Sequence, residues 1–538
     1  MNTVLPPECL EKIFLNLYNP ASTNTITTKD LHACTLVSHY WCQVSTPLLY
    51  SYPFQHFPNL NKIKSNHKDV QDYYKLIRTL LTCIPQSEIE EIVNSKLLQN
   101  EPISFPLKSS PTFNYGTFIH GLQLDSILSE VLIDHNKIWM PSYIPNDTIS
   151  LTSELCYSII NHLVKYLSEF CNNLTILEIK LFTLHDKNVH IKPMETMLNY
   201  FFDDSKENKL TGLKHLYCAI SGNARTQLMT KEVSNLSKFY VNLSSPTKNL
   251  ESLHNGKIIS LEQANALSSL ISSQKRLKSI TLSEEDFLHS FIRTDNDQIF
   301  EMYNVVFNTL ITQSVWLEKL EFTLISFQYI SQESLESLCS LKNLKELKIK
   351  SCNSLEKLQV WAKYLSRLEV FDYTPIIHPQ LHIDADWLKQ IFQYTSNSLK
   401  KLVLDYKREF GQALQLTKLI ALHLHSLNHL VLPKLYPTEL ITILKSCTEL
   451  VYISIGLLEG GQWDQNLPSI GKLIPVSVQK IQFREFHPMV VNSKTFENFL
   501  KGCINKGGQL HSVEMTGKYK LDQKYSDIAK QFGVKVFC

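Results

Sequence analysis

Three histidines fall close together at His423, His425 and His429. On an extended strand the first two would share a face, and imidazoles so placed are familiar metal ligands. No cysteine or carboxylate joins them in sequence, so they read as surface or cleft histidines. The twelve cysteines lie at 9, 34, 42, 83, 156, 171, 218, 339, 352, 447, 503 and 538, with no C-x-x-C pair. That scatter fits neither a zinc site nor a disulfide framework. A nucleophilic cysteine needs an activating neighbour. None stands beside Cys171, Cys447 or Cys503, which fall late in or at the ends of predicted helices and suit ordinary burial. The chain has no G-x-G-x-x-G, no Walker A pattern and no H-E-x-x-H. Its densest glycine cluster, Glu459-Gly460-Gly461-Gln462-Trp463, opens no helix with a Lys-Ser/Thr and reads as a turn. Only 15 of 538 residues are glycine, which counts against phosphate-cradling loops and hairpin-rich folds. The expectation is a protein without catalytic residues, cofactor or metal.

The composition bounds the rest. Hydrophobic residues make up 43% and charged residues 19%, enough apolar material for a large core. Lys+Arg 53 against Asp+Glu 51 leaves a formal net charge of +2, so no bulk attraction to nucleic acid or anionic lipid follows. No apolar run is long enough to cross a membrane, and Met1–Leu10 has no signal-peptide pattern. The N-x-S/T matches at Asn146, Asn173, Asn235 and Asn242 then carry no weight, and cytosol or nucleus is the expected compartment. At about 150 residues per domain, the length predicts three or four compact domains or one elongated repeat array.

The first fifty residues stand apart. Pro6-Pro7-Glu8 suits the first turn of a helix, with Leu10, Ile13, Phe14 and Leu17 following at helical spacing. Asn19–Thr28 reads as an exposed loop. Asp30 is placed to cap a second helix carrying Leu31, Cys34, Leu36 and Val37. Ser38–Ser45 holds Trp41, and Pro47-Leu48-Leu49-Tyr50 closes the unit. Three short helices make a poor independent core, which predicts a module that completes itself against a partner. The run Leu5-Pro6-x-Glu8-x-Leu10-x-x-Ile13-Phe14, then Asp30-Leu31-x-x-Cys34-x-x-Val37-Ser38-x-x-Trp41, then Pro47-Leu48-Leu49-Tyr50 resembles an F-box, with a longer loop at Tyr18–Lys29 than the family has. The resemblance implies docking on the Skp-type adaptor of cullin–RING ubiquitin ligases through Leu5, Pro6, Leu10, Ile13, Leu31, Val37 and Trp41. Leu5 and Pro6, ahead of the helix, are the foremost candidates. Internal packing competes for the others.

Most of the remaining chain repeats an L-x-x-L-x-L unit. Copies begin at Leu174, Leu213, Leu277, Leu317, Leu344, Leu368, Leu399, Leu427, Leu450, Val478 and Leu510. Between Leu213 and Leu277 both Leu236 and Leu250 could start a copy. The L-x-L pair predicts a half-buried strand, and the leucine three positions earlier tucks the incoming turn into the core. Helical periodicity fills the intervals, as in Trp387, Leu388, Ile391 and Phe392. A strand and a helix every 23–32 residues from Leu317 on is the pattern of leucine-rich repeats. Cys352, in Leu344-x-x-Leu347-x-Ile349-x-x-Cys352, should face inward and satisfy the turn backbone. The expected fold is α/β: an F-box over 1–52, a helical bridge and loop over 53–111, and a curved solenoid over 112–538 with atypical caps, its strands concave and its helices convex. In the bridge, helices are expected around Tyr73–Leu81 and Ile89–Leu97, a loop over Glu101–Pro111 and a first edge strand within Phe118–Leu124.

Residues flanking each L-x-L pair should line the concave face. They include Glu178 and Lys180, His215 and Tyr217, and the set Lys319, Glu321, Glu346, Lys348, Lys350, Asp372, Lys401, Asp405, Tyr452 and Arg484. That set is the candidate substrate surface, since solenoids bind on this face. Joined to the F-box resemblance, it implies a non-catalytic substrate receptor of an SCF-type ubiquitin ligase. Its expected partners are the Skp-type adaptor, through it a cullin–RING ligase, and a protein substrate that the pattern does not name, with no nucleic acid and no membrane. Two alternatives stay open: an interaction scaffold unconnected to ubiquitin, whose N-terminal helices merely cap the array, and an enzyme using His429 or Cys447.

Overall fold

The computed structural model describes residues 5–17, 25–56, 68–85, 87–88, 91, 111–125, 161–171, 173–182, 210–221, 227–284, 296–375, 385–405, 412–458, 461–486, 491–505, 507–517 and 522–537. Two compact units divide the chain at Leu277/Lys278. The strands of each are parallel and ordered as in the sequence.

The first unit opens with three helices, α1 (Pro7–Leu17), α2 (Thr25–Thr35) and α3 (His39–Leu49). Pro7 starts α1, where a missing N–H costs nothing. Ser38 caps α3, its hydroxyl accepting from the Trp41 amide at 3.2 Å. Helix α2 begins at Thr25, before the expected cap. Asp30 therefore lies inside it, because no Gly or Pro interrupts Thr25–Thr35. Leu10, Phe14, Leu31 and Cys34 form a small core, and Tyr40, Trp41, Val44, Leu48 and Leu49 pack onto it. Helix α4 (Lys68–Leu81) buries Tyr73, Ile77, Leu80 and Leu81, as its periodicity predicts. The expected helix Ile89–Leu97 and the loop Glu101–Ser110 lie outside the described residues, apart from Glu91.

Four strands follow: β1 (Gly121–Asp125), β2 (Ile176–Phe182), β3 (His215–Ser221) and β4 (Ser252–Asn255). Their register stacks Leu122, Leu177, Leu216 and Leu253 into one buried ladder. Strand β4 settles the ambiguous copy, which starts at Leu250, while Leu236 belongs to the helix Gln227–Ser244. That copy was obscured because Asn255 occupies its last core position. Asn255 is nevertheless buried, accepting from the Tyr240 hydroxyl at 2.6 Å and donating to the Gly256 carbonyl at 2.6 Å. A buried amide is tolerated when both its ends are paired.

The second unit holds β5 (Ser279–Ser283), β6 (Lys319–Thr323), β7 (Glu346–Lys350), β8 (Val370–Thr374), β9 (Lys401–Leu404), β10 (His429–Leu435), β11 (Tyr452–Leu457), β12 (Lys480–Arg484), β13 (Ser512–Thr516) and β14 (Lys535–Phe537). Ile280, Leu320, Leu347, Phe371, Leu402, Leu430, Ile453, Ile481 and Val513 align across β5–β13, each at most 1% exposed. At about 2 kcal/mol per fully buried aliphatic side chain, this ladder is a principal source of the unit's cohesion. Helices or 3₁₀ turns connect successive strands, and large side chains such as Trp361, Trp387 and Trp463 are buried there. Cys352 is buried, its thiol directed at the carbonyls of Lys350 (3.4 Å) and Phe322 (3.5 Å). The architecture is a leucine-rich repeat solenoid. Among the described residues no helix is long and apolar enough to cross a membrane.

Candidate protein-binding surfaces

Two surfaces stand out, one in each unit. The first is the helical module α1–α3. Its core is closed, with Phe14 against Trp41 edge to face at 5.2 Å between ring centroids. Leu10 and Leu31, expected as contact residues, belong to this core and are spent on internal packing. Trp41 is half-buried against it. Leu5, Pro6, Ile13 and Val37 remain outward. Leu36 joins Val37 in the turn between α2 and α3, and the two are 74% and 61% exposed. Exposing two adjacent large aliphatics is costly unless something covers them. The Tyr40 hydroxyl donates to the Leu5 carbonyl at 2.7 Å, so the segment ahead of α1 is fixed rather than loose.

The module is welded to the first repeat. In β1–β3 the carbonyl just before each strand accepts from two successive N–H groups of the next repeat. The His120 carbonyl takes Thr175 and Ile176, and the Thr175 carbonyl takes Lys214 and His215. Ser51 does the same for His120 and Gly121, at 2.8 and 2.9 Å. The end of α3 thus occupies the place of a repeat before the first. Tyr52 lays its ring over Gly121, where a Cβ would stand 2.7 Å from the ring, and its hydroxyl donates to Glu178 on β2. Tyr50 packs on Tyr115 at 4.4 Å, and burial pushes its phenol up to about 12.

The second surface is the outward sheet face of the second unit. On β6 and β7, Lys319 meets Glu346 (3.1 Å), Lys348 meets Glu346 (2.8 Å), and Lys350 meets Glu321 (2.7 Å). Burial works against ionising Glu346, but hydrogen bonds from Lys348 and Lys319 win and hold its carboxyl below the usual range. On β12 and its neighbours, Lys480 pairs with Glu514 at 2.6 Å, and Tyr452, one of the expected residues, donates to Gln482 at 3.0 Å. Arg484 crosses the face to Asp405 at 2.9 Å and also donates to the Leu432 carbonyl. A bulge between Leu432 and Lys434, at Pro433, interrupts the β10–β11 ladder there.

Between these charged flanks the centre of the face is different. Val370, Val403 and Val431 lie on β8, β9 and β10, beside the stacked rings of His429 and Tyr452, 4.2 Å apart. Asp372 sits among them, half-buried. Burial raises its carboxyl, against the pull of Lys350, Lys348 and Lys401, none of which forms an ion pair with it. A centre richer in apolar and aromatic side chains than its charged rim is the anatomy of a protein-binding patch. Sequence reasoning passed over Val403 in favour of Asp405, which lies one residue past the end of β9. The candidate substrate residues split accordingly. Lys319, Glu321, Glu346, Lys348, Lys350 and Arg484 are engaged within the rim, while Asp372, Lys401 and Tyr452 belong to the centre. In the first unit Tyr217 stacks on His254 at 3.9 Å, and the Lys180 side chain lies outside the described residues.

The histidine cluster does not assemble. His423 ends the helix Gln412–His423, His425 is exposed beyond it, and only His429 is on a strand. A helix, not a strand, carries His423 because Leu416 and Ile420 set a helical period ahead of it, both buried. Among the described residues no three of His, Cys, Asp and Glu are placed to hold a metal. Cys171, Cys447 and Cys503 are buried, and burial pushes the Cys447 and Cys503 thiols up to about 12.

No family model matches the sequence, and no curated protein does. A solved structure similar to this chain is the leucine-rich repeat-containing protein LegL7 from Legionella pneumophila. The two are 12% identical over 69% of this chain and 93% of that one, with a TM-score of 0.32. Superposition that loose carries no argument, and the repeat assignment rests on the strand register above.

Proposed function

We propose that this chain is a non-catalytic substrate receptor of an SCF-type ubiquitin ligase, working in the cytoplasm or nucleus. The α1–α3 module docks on the Skp-type adaptor, and the sheet face of the repeats holds a protein substrate. The observation that carries the reading is a helical module whose core is closed while Leu5, Pro6, Ile13, Leu36 and Val37 stay outside it. These positions fall within the run of residues that resembles an F-box. Rigid attachment of the module through Ser51 and Tyr52 suits the role, because ubiquitin transfer gains from holding two proteins at fixed separation.

A second reading is an interaction scaffold unconnected to ubiquitin. It is favoured by Ser51 imitating a repeat, since a terminal cap that shields β1 would need that same contact. The test is a tagged pull-down of the full chain followed by mass spectrometry, comparing wild type with a Leu5→Ala/Pro6→Ala variant. The receptor reading expects an adaptor and cullin in the wild-type sample and their loss in the variant, with other partners retained. Absence of both from the wild-type sample sinks it.

A further inference from the structure

Three successive helix-to-strand turns of the second unit meet at one groove. They are Ser314–Val315 before β6, Ser340–Asn343 before β7 and Lys363–Arg367 before β8, and together they enclose about 540 Å³. Three cations line it, Lys342, Lys363 and Arg367, and no carboxylate does. Among the described residues none of the three is ion-paired, whereas nearby Lys345 pairs with Glu318 at 3.0 Å.

Two of the cations are positioned. Arg367 donates to the Asn343 side-chain carbonyl at 2.7 Å, and the same amide donates to the Val315 carbonyl at 2.9 Å. That chain ties the three turns together and leaves the rest of the guanidinium free. The Lys363 ammonium lies over the Tyr364 ring at 5.1 Å. The Ser366 hydroxyl, also in the lining, has no hydrogen-bond partner among the described residues.

All three are exposed, so water screens their mutual repulsion, but an anion held between them would interact with all three at once. Cations do offset the carbonyl ends of helices. Three continuous helical segments end here, Asn296–Gln313, Gln332–Ser340 and Leu355–Ala362. Their C-terminal ends carry about −0.5 charge each, which leaves about half of the three full charges unmatched. A carboxylate brings one charge and two oxygens. A phosphomonoester brings about −1.5 to −2 and three acceptor oxygens, which matches three cations with neighbouring N–H and O–H donors.

We propose that this groove binds a phosphomonoester, carried on a phosphorylated side chain of a partner protein or on a small phosphorylated compound. It lies ahead of β6–β8, and none of its lining residues belongs to the sheet face or to α1–α3, so it stands or falls independently of the receptor reading.

The experiment is fluorescence anisotropy on the full chain, with a labelled degenerate phosphoserine peptide mixture and its serine counterpart. Pyrophosphate and O-phosphoserine serve as competitors. The phosphorylated mixture should bind at least about tenfold more tightly. Lys342→Ala, Lys363→Ala and Arg367→Ala should each weaken binding about two- to fivefold, and together by tens of fold, with Lys345→Ala without effect. Displacement by either small phosphate, lost in the triple variant, assigns the site to small phosphates. Failure to displace assigns it to phosphorylated protein. As a measurement that needs no variant, pyrophosphate or the phosphopeptides should raise the wild-type unfolding temperature. Equal binding of the two mixtures, binding of neither, or phosphate-dependent binding that survives the triple substitution would overturn the proposal and leave the cations as helix-end caps.

Discussion

Gly121→Ala offers a sharp test of how the helical module is joined to the repeats. A Cβ there would stand 2.7 Å from both Cγ and Cδ2 of the Tyr52 ring. Side chains essentially never approach so closely, so the ring must move. It is buried, and its hydroxyl is bound to the Glu178 carboxylate. Overpacking of this kind costs about 1–3 kcal/mol, and loss of a hydrogen bond to a charged group costs roughly 1.5–3. Replacing glycine by alanine returns about 0.4–1 kcal/mol through the unfolded chain. With Glu178 partly in solvent, the low end of each applies, and the net loss is about 1.5–2 kcal/mol. Gly212→Ala is the control, since its nearest atom, the Leu174 carbonyl oxygen, is 3.6 Å away and the change should be close to neutral. Repeat arrays open in parts, so the readout is hydrogen–deuterium exchange. Peptides covering 47–56 and 119–124 should lose protection in Gly121→Ala, while peptides from β6–β13 should not. A Tyr52→Ala background should remove at least about 1 kcal/mol of the Gly121→Ala cost. If Gly121→Ala matches Gly212→Ala, or the two costs simply add, the ring does not occupy the glycine's space and the weld is misdescribed.

Three further outcomes follow from the same geometry. Iodoacetamide should label exposed Cys9 on the native chain, while Cys218, Cys352, Cys447 and Cys503, buried and pushed up to about 12, stay unlabelled until unfolding, as read by peptide mass spectrometry. His429 is held down to about 4 by burial and then by Lys401, so below about pH 6.5 the unfolded chain takes a proton that the folded one refuses. Its contribution to stability is therefore complete above about pH 6.5 and lost as pH falls towards 4; His429→Gln should flatten that part of the urea-midpoint profile, even though Asp372, raised by burial, acts with the opposite sign. Lys348→Gln/Lys350→Gln should weaken substrate capture and leave adaptor binding unchanged; glutamate is the wrong replacement, because it would stand against Glu321, Glu346 and Asp372.

Much of the array was legible because leucine spacing encodes burial directly. A strand with alternating exposure and a tucked leucine leaves the same trace in every copy, and all eleven copies became strands. Legibility failed where a polar side chain took a core place, as Asn255 does by borrowing the Tyr240 hydroxyl. It failed again in α1, which carries Leu10, Ile13, Phe14, Leu15 and Leu17 around much of its circumference. A helix that is apolar on several faces does not announce which face packs inward, so the buried Leu10 was grouped with the exposed Ile13. Contacts between distant repeats left no trace at all. Arg484 reaches Asp405 across the sheet face, and Tyr52 lies over Gly121, a glycine 69 positions away. The flanking charges of the sheet face were foreseen by strand parity, but their mutual pairing, and hence the shift of the candidate site towards Val370, Val403, Val431 and Tyr452, is a property of side-chain reach rather than sequence order.

The most direct test of the receptor reading is titration of a purified Skp-type adaptor onto the purified full chain by calorimetry. Wild type should form a one-to-one complex. Leu36→Asp/Val37→Asp should abolish it with circular dichroism and unfolding temperature unchanged, because both side chains are exposed and support no core. A wild-type chain that binds no adaptor, or a variant that binds as well as wild type, would contradict the assignment of this face to the adaptor.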